Sequence, residues 1–354
     1  MGNLVGYAHL IDAMGLKAIE VKKPALVQPV TRIERINGAL AVPQTVAPEA
    51  GDFLAHIIFA LKHEGVNLSI LAQARPRIDG QLLDEAITHS PSSGYLRKVC
   101  FLWEFYTGAL LDYADKPRGP GVLLFDPERY ITGPSVRNNR WRVDFNGLGT
   151  LQYCATVERT PEVQALLEYD ILGRSKEFIA SLPKEMMDRA INWAYLSETD
   201  SSFAIEKEAP SQQKSERFVQ LLRQAHDRQP LTEDYLVSLQ NNAISQPLEW
   251  AVAFRHEQNH LTNSFRGAAG VTYIPPPPDL CRELMFELMA FANRAPLELD
   301  PLVAAGIASF GFVFLHPFRA GNGRLSRGGL HQALCGSGAL ENGCLLPVSV
   351  AMKR

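Results

Sequence analysis

Near the carboxyl end, the run His316-Pro317-Phe318-Arg319-Ala320-Gly321-Asn322-Gly323-Arg324-Leu325-Ser326-Arg327 puts an imidazole, two glycines and two motif arginines within reach of one another. Gly321 and Gly323 have no Cβ, so their backbone N–H groups can approach an oxyanion closely. Arg324 and Arg327 are three apart and share a helix face, where two guanidinium forks can bind successive phosphates bidentately. A polyphosphate fits such a cradle; a single carboxylate hardly needs so much. An imidazole beside it can take the proton of an incoming hydroxyl while the amides and arginines stabilise charge on the group being transferred. The implied chemistry is phosphoryl or nucleotidyl transfer. A lone His after an apolar helix usually packs or caps, and a Gly-Asn-Gly loop is usually a turn. Eight fixed identities at fixed spacing are harder to dismiss, since equiprobable residues give them with a chance on the order of 10^-10 per starting position.

The elements around this run follow from pattern. Val303 to Leu315 is apolar on nearly every side, as a central buried helix requires, and Pro317 disfavours the α region at His316, so the helix is predicted to end there. A second helix starting near Asn322 or Gly323 points its positive end at the same place. Helical spacing recurs in Phe53 to Leu61, Leu96 to Leu111, Val163 to Leu172, Phe218 to Ala225 and Leu284 to Ala292, which predicts an all-α fold. The exception is Trp141 to Cys154, where alternation around Asn146-Gly147 predicts one β-hairpin. Helix-breaking residues gather at Asp115 to Gly121, Glu208 to Ser215 and Arg266 to Pro278, the last ending in a stiff four-proline run. Residues 1 to about 190 carry no motif that converts to chemistry and are expected to be structural or partner-facing.

With 354 residues, 46% of them apolar and 21% charged, the chain reads as one large or two folded domains rather than a disordered or coiled-coil protein. The net charge of -3 supplies no global field for nucleic acid or an anionic membrane, so any phosphate site must be local. Five widely spaced cysteines without a CxxC pair suit a reducing cytoplasm. No stretch signals export or a membrane span. His256-Glu257-Gln258-Asn259-His260 matches the zinc pattern in which two imidazoles one helical turn apart bind the metal and the Glu activates water, with Glu283 or Glu287 as third ligand. Arg255 and the early break at Gly267 speak against it.

The run from His316 to Arg327 resembles the signature of the Fic family, His-Pro-Phe-x-Asp/Glu-Gly-Asn-Gly-Arg-x-x-Arg, at all but one fixed position. Phe254-Arg255, Gly267 to Tyr273 and Ile274-Pro275-Pro276-Pro277-Pro278 look like the family's target-docking flap. Ser201-Ser202-Phe203-Ala204-Ile205-Glu206 looks like its autoinhibitory helix motif, Ser/Thr-x-x-x-Glu-Gly/Asn. The resemblance implies an all-α Fic core over 191–354, with an inhibitory helix near 200–208, a short β-hairpin flap near 267–278 and the catalytic motif at 316–327. It follows a mainly helical region over 1–190 with a hairpin near 141–154.

By that resemblance the protein would transfer AMP from ATP, with Mg²⁺, to a hydroxyl side chain of a target protein. His316 would deprotonate the hydroxyl, Gly321, Asn322 and Gly323 would form the anion hole, Arg324 would bind phosphates and Arg327 the γ-phosphate. Phe318 would anchor the loop. Glu206 would pair with Arg327 and block productive ATP binding, because one guanidinium cannot serve carboxylate and phosphate together. Val271, Thr272, Tyr273 and Ile274 favour an extended strand whose edge can pair with a target backbone. A homodimer stays open.

Two positions depart from the family pattern. Ala320 stands where the family places the Asp or Glu that holds Mg²⁺, and a methyl group cannot coordinate a hard cation. A degenerate Fic protein that binds nucleotide with little turnover is therefore the second expectation. Lys207 replaces the Gly or Asn after the inhibitory Glu, and Glu208 offers a rival carboxylate. Many larger Fic proteins continue with further helices and often a winged-helix domain, so a truncated reading frame is a further expectation for a sequence ending at Arg354.

Overall fold

The computed structural model describes residues 3–19, 21–113, 117–209, 211–227, 229–244, 246–263, 265, 267–340 and 343–353. Asp115, Lys116, Pro210 and Arg266 of the expected loops, and the terminal Arg354, lie outside the described residues. The chain is mainly helical and divides into two compact units, Met1–Gly147 and Leu148–Arg354. The helices from 161 onward lie in the same unit as the motif.

In the first unit, β1 (Leu4–Val5), α1 (Gly6–Met14), β2 (Ala25–Val27), β3 (Glu34–Ile36) and β4 (Ala39–Val42) precede α2 (Phe53–His63), α3 (Leu68–Ala74), α4 (Gly80–His89) and α5 (Gly94–Thr107). A four-stranded sheet has the order β1-β2-β4-β3, with β2 and β4 parallel. Asp52, Asn67, Asp79 and Ser93 cap α2 to α5 by accepting from first-turn amides. Four strands follow: β5 (Val122–Leu123), β6 (Tyr130–Ile131), β7 (Val136–Asn138) and β8 (Val143–Phe145).

The hairpin expected across Asn146-Gly147 does not form. β8 pairs instead with β7, antiparallel, and with β5, parallel. The turn lies upstream, where Asn138 Oδ1 accepts from the Trp141 amide at 2.8 Å, and the Arg137–Asp144 fork at 2.7 and 2.8 Å ties the two strands. Asn146 is buried, and its side-chain amide pairs with both backbone groups of Phe125 at 2.9 Å. A side chain spent as a strand-like clamp leaves Asn146 no role in a tight turn.

The second unit opens with β9 (Leu148–Gly149), β10 (Cys154–Ala155) and β11 (Val157–Glu158), of which β9 and β10 pair antiparallel. It continues through α6 (Pro161–Glu168), α7 (Ile171–Ser181), α8 (Lys184–Ile205), α9 (Gln212–Gln224) and α10 (Glu233–Ala243). The pattern Val163 to Leu172 is split between α6 and α7, because Asp170 takes a left-handed conformation and caps α7 through Gly173. Next come β12 (Leu261–Thr262), β13 (Val271–Tyr273), α11 (Pro278–Glu298), α12 (Pro301–Leu315), α13 (Asn322–Gly336) and α14 (Val348–Lys353).

α12 and α13 pack closely through a hydroxyl pair, Ser309 Oγ to Ser326 Oγ at 2.7 Å, and Ser326 also donates to the Ser309 carbonyl. Phe203, Phe218, Phe254, Phe312 and Phe318 fill the core around them. The central helix is not buried all round: Phe310 and Phe314 stack on a face that stays 73% and 44% exposed.

Candidate active site

Asp300 accepts from the amides of Leu302 and Val303, and Pro301 occupies the first turn, so the start of α12 is well capped. Its end is set by His316. The helix stops there as expected from Pro317, but in the left-handed region, with φ 51° and ψ 58°. The His316 amide still donates to the Phe312 carbonyl at 3.0 Å, and Nδ1 lies 3.3 Å from the Val313 carbonyl. That contact leaves Nε2 as the nitrogen for proton transfer. Burial holds the imidazole below the usual histidine range; the Val313 contact opposes this and the Arg255 charge adds to it. A neutral imidazole near pH 7 can accept a proton.

The loop after His316 is braced from within. Phe318 is 1% exposed and meets Phe254 at a ring distance of 5.5 Å. Asn322 is buried, its Oδ1 accepting from the Phe318 amide at 3.0 Å and its Nδ2 donating to the Phe318 carbonyl at 2.8 Å. Its side chain therefore shapes the loop, and only its backbone is left for an anion. Gly321 has φ 84°, and a Cβ there would approach Ile244 Cδ1 to 3.1 Å, so both conformation and space call for glycine. Gln240 reaches the Ala320 carbonyl at 3.4 Å, a contact that no sequence motif signalled.

Arg324 and Arg327, with side chains 6% and 7% exposed, do share the first turns of α13. Both are taken by carboxylates. Glu206 Oε1 accepts from Arg327 Nη2 at 2.6 Å, and Oε2 lies 3.1 Å from Arg324 Nε. Glu208 Oε2 accepts from Arg324 Nη2 at 2.7 Å and lies 3.3 Å from Lys214 Nζ. Ser202 Oγ accepts from Arg327 Nε at 2.7 Å, and the Arg324 guanidinium stacks on Phe203 at 4.6 Å. The Glu206 carboxylate also lies against the bare face of Gly323, where a Cβ would come within 2.7 Å of Oε1. An anion therefore occupies the N-terminal turn of α13, where the helix dipole and paired guanidinium groups favour one.

Backbone geometry explains how the carboxylates reach this position. α8 ends at Ile205, and Lys207 turns left-handed at φ 56° while its amide donates to Ala204 and that of Glu208 to Phe203. Position 207 thus holds the conformation that glycine and asparagine adopt at least cost.

The flap segment forms a two-stranded antiparallel hairpin, β12 with β13, Leu261 opposite Tyr273 and Thr262 opposite Val271. Thr272 and Ile274 are exposed. Tyr273 Oη donates to the Phe314 carbonyl at 2.6 Å, joining the strand to the end of α12. The segment His256 to His260 is not helical, so its two histidines are not one turn apart, and the zinc arrangement fails. His256 and Glu257 stand exposed, and Glu257 faces Arg319 at 3.6 Å. Among the described residues no group of three His, Cys, Asp or Glu side chains is placed to hold a metal ion, Glu283 and Glu287 included.

Residues 230–334 match the Fic/DOC family. The Fic segment so matched contains the flap and most of the loop-and-helix site, whereas Glu206 and Glu208 precede it. A Fic family protein from Desulfovibrio desulfuricans is 21% identical with a TM-score of 0.43, over 55% of this chain and 63% of that one. The chain thus spans under two thirds of that structure. A Fic domain containing signaling protein from Bacteroides thetaiotaomicron is 19% identical, TM-score 0.36, over 47% of this chain and 72% of that one. Fic-1 from C. elegans is 15% identical, TM-score 0.37, over 82% of this chain and 80% of that one. No curated protein matches the chain.

Proposed function

We propose that the protein is an adenylyltransferase that moves AMP from ATP to a hydroxyl side chain of a target protein, and that Glu206 holds it inactive. The observation that carries this reading is the Glu206 carboxylate seated on Gly323 between Arg324 and Arg327. An internal carboxylate at the helix start marks where a phosphate is to bind, and it competes for the same donors. With Glu206 withdrawn, Arg324 and the amides of Gly321 to Gly323 hold the phosphates, and Arg327 holds the γ-phosphate. His316 accepts the target hydroxyl proton as its oxygen bonds to the α-phosphorus, and pyrophosphate leaves with the broken P–O bond. The exposed flap positions Thr272 and Ile274 support docking of a target by strand addition.

Ala320 presents no side-chain oxygen where the family places its Mg²⁺ ligand, and no replacement carboxylate stands in a metal-holding group among the described residues. The donor set does not fit the ion. This favours a second reading, a nucleotide-binding Fic protein with little turnover. The proposed setting is the cytoplasm, supported by the cysteine pattern. No helix among the described residues is long and apolar enough to cross a membrane.

Intact-mass analysis after incubation with Mg-ATP tests both readings. Glu206→Gly is expected to acquire an AMP mass that the Glu206→Gly/His316→Ala variant does not. AMP addition to both variants would remove His316 from the mechanism. An inert Glu206→Gly protein that becomes active with Ala320→Asp would establish the second reading.

A further inference from the structure

We propose that Arg255 is a positioning residue for His316, fixing the histidine backbone and the flap to each other; the proposal rests on His316 being the base. Arg255 is 5% exposed and spends its guanidinium on carbonyl oxygens from several separate pieces of chain. Nε donates to His316 O at 2.9 Å, Nη1 to Glu257 O at 3.1 Å, and Nη2 to Pro276 O and, at 3.4 Å, to Leu315 O. Its own amide donates to Pro317 O at 2.7 Å. No ion pair joins it to a carboxylate among the described residues, so its charge serves the carbonyl end of α12, the negative end of that helix dipole.

Tyr273 of the flap and Cys281 of α11 complete the same collar. Tyr273 Oη takes the Phe314 carbonyl at 2.6 Å, and Cys281 Sγ approaches the Leu315 carbonyl at 3.2 Å. The consecutive carbonyls of Phe314, Leu315 and His316 are thereby bound by side chains from the flap, the start of α11 and the segment before the flap. A left-handed conformation is uncommon at a non-glycine residue, and the Arg255 bond to the His316 carbonyl holds residue 316 in it. The arrangement gives the imidazole a defined place relative to β13, the strand proposed to hold the target. Lysine cannot replace it, because one ammonium cannot span carbonyls spread around a planar fork.

The charged groups around this region are Arg255 itself, the exposed His256 and Glu257, and Arg319, which faces Glu257. Arg255 contributes to holding the His316 ring neutral. Removing its charge should move the ring's titration midpoint up towards the usual histidine value, whereas a lysine should keep it low.

Arg255→Met and Arg255→Lys, each in the Glu206→Gly background, provide the test. The readouts are AMP transfer kinetics and an NMR titration of the His316 ring, assigned by its loss in His316→Ala. Arg255→Met should lower kcat by about 10- to 100-fold with KM for ATP near the parent value, and raise the ring midpoint. Arg255→Lys should keep the low midpoint and recover only part of kcat. Parent-like kcat and midpoint in Arg255→Met overturn the proposal. If that variant fails to fold, a folded Arg255→Lys with full parent kcat overturns it equally. A Glu206→Gly parent that transfers no AMP refutes the proposed function instead, and the ring titration then decides the role of Arg255.

Discussion

Replacing Glu206 by Gln removes the charge that bridges Arg324 and Arg327 while keeping the side chain's size. Both arginines are nearly buried and the Glu206 side chain is 23% exposed, so the contact ranks with partly buried ion pairs. Breaking a fully buried pair costs about 3–5 kcal/mol, and the residual exposure reduces this to about 3 kcal/mol. A ligand that must displace the carboxylate loses that amount, which is about a hundredfold in affinity at ~1.4 kcal/mol per factor of ten. Glu206→Gln should therefore bind ATP about 10²-fold more tightly than the wild type. Glu208 sits on the other side of Arg324 with a side chain 38% exposed, a setting in which pairs are worth ~0–1 kcal/mol. Adding Glu208→Gln should then gain at most about fivefold more. Calorimetric titration with ATP, in Mg²⁺ and in EDTA, measures both steps. The single variant should also melt lower than the wild type, because Arg327 loses its carboxylate partner and Arg324 keeps only the half-exposed Glu208, and ATP should restore the difference. An ATP affinity unchanged in both variants would refute the competition between carboxylate and phosphate.

Two further substitutions examine the geometry that brings the carboxylate into place. Gly323→Ala should destabilise the wild type by about 1–2 kcal/mol, since its Cβ would lie 2.7 Å from Glu206 Oε1. In a Glu206→Gly background the same change should be neutral or stabilising through alanine's better helix propensity; additive melting shifts in a double-mutant cycle would contradict this. Lys207→Gly relieves a left-handed φ of 56° and should raise stability by about 1 kcal/mol in chemical denaturation. An unchanged or lowered midpoint would show that position 207 carries no strain.

The grouping of the cradle residues is legible in the sequence because it is local. His316 to Arg327 holds its donors within one loop and the first turns of one helix, so spacing alone brought the glycines and both arginines to one place. Helical periodicity likewise marks parts of α9, α11 and α12, since that signal lies within a few residues of what it controls. The hairpin at Asn146-Gly147 failed for the opposite reason: Asn146 found a long-range partner in Phe125, which outweighed a turn preference worth little by itself. Nothing in the periodicity showed that Phe310 and Phe314 would remain uncovered, because an apolar face says only that burial is favourable.

From the order of residues come the cradle, the missing oxygen at Ala320, the stop at Pro317 and the two carboxylates near 206. Their meeting is a tertiary fact. Glu206 and Arg327 are distant along the chain, and only the packing of α8 against α13, with Lys207 turned left-handed, brings one carboxylate onto Gly323 and a second onto Arg324. The Arg255 collar is likewise invisible in sequence, since its acceptors are backbone carbonyls that every residue carries. Covalent neighbours are set by sequence, whereas the partners of a charge or a carbonyl depend on which distant segments the fold drives together.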